Sequence, residues 1–248
     1  MTTPTQQYDT IQAPYDYIRT ASIALIEREN VHTALTPYIQ SARILELACG
    51  TGFYTYSFLD WGASSVVGVD ISRIMIESAL QIGKGTGHEN QVSFLQADCA
   101  VPSVYAGAPF DIVFGAWLLN YAADRRGLVD MFRNVAGNLR EGGRFVGVTV
   151  PPAERPKEAV VGEADIRPLS EGGSGYLVYE CMEDVEEGVK FRVRGETPGG
   201  NFAFECFHLE KRVYEEAARE AGLMGRLEWG VTKVPERWLR GEGRGVQG

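Results

Sequence analysis

What this chain lacks narrows it before any motif is read. Its apolar stretches are broken within about a dozen residues, too short to cross a bilayer, and the polar start Met1-Thr-Thr-Pro-Thr-Gln-Gln7 has no signal-peptide core. A soluble, cytoplasmic protein with no membrane partner is expected. Positive charge is scarce: 24 Lys plus Arg stand against 33 Asp plus Glu, a net charge of -9, and no basic stripe is present to track phosphates. That argues against a nucleic-acid partner. The four cysteines, Cys49, Cys99, Cys181 and Cys206, form no Cys-x-x-Cys pair; they read as free, buried thiols, and no metal site is expected. Histidine is equally sparse. Of the three, His32 and His88 fall in helical or loop positions remote from any motif and read as solvated residues.

The 248 residues suffice for one large core, or one core with an insertion, rather than two independent domains. Residues 42–52, Ala-Arg-Ile-Leu-Glu-Leu-Ala-Cys-Gly-Thr-Gly, read as an apolar strand entering a glycine turn, and a lone acid, Asp70, closes the next strand. Gly50 and Gly52 let backbone approach a ligand without side-chain clash, and Asp70 can accept hydrogen bonds from a ribose diol. A dinucleotide turn would need glycines at its first, third and sixth positions. Here Gly50 and Gly52 are followed by Thr55, so the glycine that brings a helix close under a pyrophosphate is missing. A nucleoside cofactor without phosphate fits better than a nicotinamide.

The pattern Glu46-Leu-Ala-Cys-Gly-Thr-Gly52 followed by Gly68-Val-Asp70-Ile-Ser72 resembles the first two motifs of class I S-adenosylmethionine-dependent methyltransferases. The resemblance continues through Gln96-Ala-Asp98-Cys99, the segment from Phe110 to Tyr121, and Leu139-Arg-Glu-Gly-Gly-Arg-Phe-Val146. Five blocks in this order are far more specific than any one of them. Trp117-Leu-Leu-Asn-Tyr-Ala122 and the block from Asn201 to Gly222 are similar to small-molecule methyltransferases of the toxoflavin-pathway type.

The order of elements predicts an α/β, Rossmann-like fold: a mostly parallel central sheet with helices on both faces and an antiparallel insertion after the fifth strand. A helix is expected over residues 14–29, with Pro14 in its first turn, and a further helical set at Val31, Leu35 and Ile39. Strands are expected at 44–48, 66–69, 92–95, 112–116 and 145–150. Helices should be capped by Ser72 and begin near Asp124, the second stopped by Gly142-Gly143. Beyond Pro151-Pro152, residues 176–182 and 189–194 read as a hairpin around an acidic turn. The run 201–207 puts Phe202, Phe204 and Cys206 on one face, and leads to a helix over 209–221. Residues 226–233 read as a strand. The division expected is 1–40 as a helical lid, 41–150 as the cofactor core, 151–208 as a substrate cap, and 209–248 as a helix and strand completing the core.

Gly50, Asp70, Asp98 and Ala116 each follow a strand directly, so one crevice can collect them. The resemblance implies S-adenosyl-L-methionine as cofactor. On it, Asp70 meets the ribose with Ile71 and Met75 beside it, Asp98 and Cys99 face the adenine, and Ala48 lies in the glycine turn. Tyr8, Tyr15 and Arg19 resemble lid residues that reach the cofactor's amino-acid end or the substrate. Glu46, inside an apolar strand, needs a donor from the turn, the cofactor's amino group or an arginine. On the acceptor side, Asn120 and Tyr121 are candidates to bind a polar group and His208 is a candidate base or orienter. Phe202, Phe204, Phe207, Tyr176, Tyr179 and Trp117 are available to line an apolar pocket. The activity implied is methyl transfer to oxygen or nitrogen of a small aromatic or heteroaromatic metabolite, as in secondary metabolism, by a monomer or homodimer. The alternative is an S-adenosylmethionine-binding protein without methyl transfer, a cyclisation catalyst or regulatory module.

Overall fold

A computed structural model describes residues 12–160, 162–165, 176–197 and 200–240. Five strands, β1 (Arg43–Leu47), β2 (Ser65–Asp70), β3 (Val92–Gln96), β4 (Phe110–Ala116) and β5 (Leu139–Val148), form one sheet in the order β3-β2-β1-β4-β5. Every pairing in it is parallel. The central strands are covered on both faces, as crossover connections require, so β1 and β4 are almost continuously buried. Ile44, Ile112 and Phe114 pack on one side against Val31 and Leu35 of α2 (Ser22–Leu35) and Phe58 of α3 (Phe53–Asp60). On the other side, Leu45, Leu47 and Val113 pack against Phe132 and Val135 of α5 (Arg125–Asn138) and Val213 and Tyr214 of α7 (Lys211–Glu220).

Helix starts follow the sequence closely. Ser72 caps α4 (Arg73–Ile82), its hydroxyl accepting from Met75 N–H, and Asp124 caps α5 by accepting from Gly127 N–H. The opening helix is two helices: α1 (Gln12–Arg19) ends at Thr20, whose hydroxyl donates to the Tyr17 carbonyl, and α2 begins at Ser22. Thr20 and Ala21 turn the chain so that α2 lies on the sheet while α1 crosses toward the insertion.

The insertion holds a short helix, α6 (Pro156–Ala159), and a separate four-stranded antiparallel sheet in the order β6-β7-β8-β9, built from Gly162–Asp165, Tyr176–Val185, Gly188–Thr197 and Gly200–Leu209. One face of it, carrying Leu177, Phe191, Val193, Phe202 and Cys206, packs with Ala21 and Val150 into a core of its own. Phe207 points to the opposite face, as alternation dictates.

Two boundaries differ from expectation. Gly142-Gly143 does not stop α5: the helix ends at Asn138 and β5 starts at once, with the glycines inside the strand where its register against β4 shifts between Phe110 and Ile112. Residues 226–233 are not a strand. Among the described residues the parallel sheet ends at β5, and the tail crosses α2 with Val231 exposed. Its main chain pairs with a side chain instead: Lys233 N–H donates to Asn30 Oδ1 at 2.9 Å, and Asn30 Nδ2 donates back to the Lys233 carbonyl at 2.8 Å. A last helix, α8 (Glu236–Leu239), follows, with Trp238 Nε1 donating to Glu29 at 2.7 Å.

Candidate active site

A cavity of about 260 Å³ opens at the carboxyl ends of β1, β2 and β4, where parallel sheets of this kind bind ligands. Two non-glycine residues at these strand ends, Ala48 and Trp117, adopt left-handed backbone conformations, with φ 59° at each. Such strain is costly for residues with a Cβ and clusters at ligand sites. Gly50 (φ 54°) and Gly52 (φ 83°) complete the turn out of β1, and a Cβ on Gly52 would sit 3.0 Å from the Tyr56 ring. Gly52 serves the turn and the start of α3; it does not line the cavity.

Asp70 lies at the cavity floor, nearly buried. Its Oδ2 accepts from Gly50 N–H at 2.8 Å and its Oδ1 from Ser72 N–H at 2.9 Å, tying the ends of β1 and β2 together. Ile71 N–H adds a third main-chain bond, and a carboxylate that accepts about four retains capacity for a further donor. Burial raises its pKa, against those main-chain bonds, which favour the charged form. Ile71, Met75, Asp98, Cys99, Ala48 and Ala116 line the same cavity. Asp98 Oδ1 accepts from Ala100 N–H at 2.8 Å. Cys99 is buried with its thiol pushed up to about 12, which removes it as a nucleophile. The loop carrying both is held from behind by two asparagines of α5 that sequence reasoning missed. Asn134 donates to the Cys99 and Val101 carbonyls and accepts from Ser103 N–H; Asn138 accepts from Tyr105 N–H and donates to the Ser103 carbonyl. Their only sequence signal is the i, i+4 spacing of two amides on an otherwise apolar helix face.

The roof comes from α1, α2 and the antiparallel sheet. Arg19 lines the cavity 3.7 Å from Glu27, a buried carboxylate on α2 that also accepts from Tyr54 Oη at 2.7 Å and Trp117 Nε1 at 3.1 Å. Burial raises the Glu27 pKa, and Arg19, Tyr54 and Trp117 oppose that shift. Glu27 is the third residue missed; in sequence it is one of several acids on a charged helix, and only the fold turns it inward. Tyr179, Phe191 and Phe204 face the cavity from the sheet, and Asn120 and Tyr121 from the turn Leu119–Tyr121 after β4. Among the aromatics expected to line the pocket, Phe202 packs in the sheet's core and Phe207 faces away. Tyr8 and the side chains of Tyr15 and Tyr176 lie outside the described residues.

Two further expectations do not reach the cavity. Glu46 sits in mid-sheet, its Oε2 accepting from Thr55 Oγ1, and burial raises its pKa to about 8. The donor it needed is thus a threonine on α3. His208, expected as a base, is fully buried between β9 and α7: Nε2 donates to the Pro151 carbonyl at 3.1 Å and Nδ1 meets Tyr214 Oη at 3.2 Å. Burial lowers its pKa to about 4, so it is neutral at physiological pH and both nitrogens are already used. It is a structural residue. His208→Leu is expected to lower stability by about 1–3 kcal/mol, the cost of the unmade bonds, while the shape of the turnover-against-pH curve between about pH 6 and 9 stays unchanged. Denaturant unfolding and a pH-rate profile check the two halves. The remaining histidines are remote: His32 stacks on Trp61 and His88 bridges Asp60 and Gln91.

Residues 44–143 match the family model described as Methyltransferase domain. The chain is 27% identical over 225 residues to an mRNA cap guanine-N(7) methyltransferase of Caenorhabditis elegans, a match covering 81% of this chain and 56% of that protein. It is 31% identical over 131 residues to a malonyl-[acyl-carrier protein] O-methyltransferase of a Paenibacillus strain, covering 52% and 44%. The chain thus spans about half the length of these curated relatives. Among solved structures, the CcbJ methyltransferase of Streptomyces caelestis superposes with a TM-score of 0.62 at 20% identity over 77% of each chain. An S-adenosylmethionine-bound amino pentose methyltransferase of Micromonospora echinaspora superposes with a TM-score of 0.56 at 19% identity, covering 79% of this chain and 83% of that one. Residues 44–143 are thus similar to a methyltransferase domain, and the chain shares the Rossmann-like fold of the methyltransferases on which it superposes.

Proposed function

We propose that the protein is an S-adenosylmethionine-dependent methyltransferase acting on an oxygen or nitrogen of a small, aromatic or heteroaromatic metabolite. One observation carries this: a single cavity has the strand-end set Gly50, Asp70, Asp98 and Cys99 on one side and the apolar face of the insertion, with Tyr179, Phe191 and Phe204, on the other. The lining fits a phosphate-free nucleoside. Asp70 offers its remaining acceptor capacity to a diol, and Arg19, the only Lys or Arg lining it among the described residues, is engaged by Glu27.

S-adenosylmethionine supplies an activated methyl group when bound. Asp70 would hold the ribose side, and the loop of Asp98 and Cys99, clamped by Asn134 and Asn138, would face the adenine. Arg19 reaches the amino-acid end from the lid, with Tyr15 on the same helix. Glu46 supports the turn from within the sheet through Thr55 and α3, one layer behind Ala48 and Gly50. The insertion, residues 151–208, excludes water and presents the acceptor, and Asn120 and Tyr121 stand at its polar group. Alignment of nucleophile, methyl carbon and leaving sulfur then supplies much of the rate.

The relatives that act on mRNA caps and tRNA bring the domain to nucleic acid. The charge of -9 and the apolar cavity wall support a small acceptor here. Trp117-Leu-Leu-Asn-Tyr-Ala122 and the block from Asn201 to Gly222 support a toxoflavin-type relationship. The test is incubation with S-adenosylmethionine and a library of small hydroxylated and aminated ring compounds, read by mass spectrometry. A methylated product with matching S-adenosylhomocysteine is expected. Tight cofactor binding without turnover of any acceptor would favour the non-transferring alternative.

A further inference from the structure

Asn120 stands almost entirely inside the protein, 1% exposed, yet it lines the cavity. Its amide is used on one side only. Oδ1 accepts from Thr149 Oγ1 at 2.9 Å, just beyond the end of β5, and Nδ2 is buried without a partner among the described residues. A buried donor left unmade is costly, so it persists where something outside the fold completes it. Position decides what that is. The turn carrying Asn120 follows β4 and packs against β9 of the insertion, whose Phe204 and Cys206 line the same cavity.

We propose that Asn120 orients the methyl acceptor by donating its amide N–H to a hydrogen-bond-accepting oxygen on an otherwise apolar molecule. This rests on the methyl-transfer reading above and narrows it. The acceptor belongs to the carbonyl- or ether-bearing ring compounds rather than to cations or phosphate esters. Leu177, Phe191, Val193 and Phe204 give the rest of the molecule an apolar wall. A phosphate ester would find no cation beyond Arg19, which the reading above gives to the cofactor's amino-acid end. A cation would meet the positive end of the Asn120 amide.

The test is a titration followed by the side-chain amide signals of 15N-labelled protein, free and loaded with S-adenosylhomocysteine. Two probes at molar concentration separate the chemistries: acetone, which only accepts, and methylammonium, which only donates. Asn120→Asp, identical in shape, assigns the signal pair by its loss. The expected result is a saturable downfield shift of the Asn120 pair with acetone and none with methylammonium. Asn120→Asp should bind acetone about tenfold more weakly, read on neighbouring signals of Tyr121. An Asn120 pair unmoved by acetone, or moved equally by methylammonium, overturns the proposal. If S-adenosylhomocysteine does not bind, the methyl-transfer reading fails, while the titration of the free protein still decides whether this amide is a donor to the cavity.

Discussion

Asp70→Asn should weaken binding of S-adenosylhomocysteine by roughly 1–3 kcal/mol, a loss of about tenfold to a hundredfold. The carboxylate has two tasks at once. It accepts main-chain N–H groups, Gly50 on Oδ2 and Ser72 on Oδ1, with Ile71 as a third, and it lines the cavity with acceptor capacity to spare. An amide of the same shape turns an N–H toward one of those main-chain donors and offers a weaker acceptor to a ribose diol. Part of the loss is therefore expected in the free protein, so calorimetry is paired with thermal unfolding to separate the two. Affinity equal to wild type would remove Asp70 from the cofactor site.

The second large effect is on stability. Glu46 is buried in the middle of β1 with its pKa raised to about 8, chiefly by desolvation, with Asp70 adding and Thr55 and Arg19 opposing. In the unfolded chain it titrates near its ordinary value of 4.5. The stability associated with its proton is fully present below that value and is lost as pH rises through about 8, because the unfolded chain gives up the proton first. Stability should fall over this interval by on the order of 3–5 kcal/mol from this group alone. Glu46→Gln keeps the bond to Thr55 Oγ1 and carries no titratable proton. It should flatten the decline, unfolding at lower denaturant than wild type near pH 5 and at higher denaturant near pH 9. Parallel curves for the two proteins would show that Glu46 holds its charge in the folded state.

Where local rules and tertiary structure agree, the sequence was legible. The apolar runs of β1, β2 and β4 are strands because a doubly covered sheet needs them continuous. Ser72 and Asp124 are caps because their side chains reach the free N–H groups of the first turn. Gly50, Asp70, Asp98 and Ala116 share one cavity because parallel strands all end on the same side. The misreadings came from contacts distant in sequence. His208 looked like a base beside an aromatic run, but α7 brings Tyr214 onto it and the chain after β5 brings Pro151. Residues 226–233 alternate like a strand, yet β5 offers them no ladder and Asn30 takes their main chain instead. Glu27 carries no local mark of importance; the break at Thr20 and Ala21, invisible to helical periodicity, is what lays α2 across the site.

Titration of the wild-type protein with S-adenosylhomocysteine in a calorimeter, beside NAD as the phosphate-bearing comparison, bears most directly on the claim that the β1–β2 crevice is an adenosyl site. Saturable one-to-one heat with S-adenosylhomocysteine and none with NAD is the predicted result. Heat with NAD alone, or with neither, would contradict it.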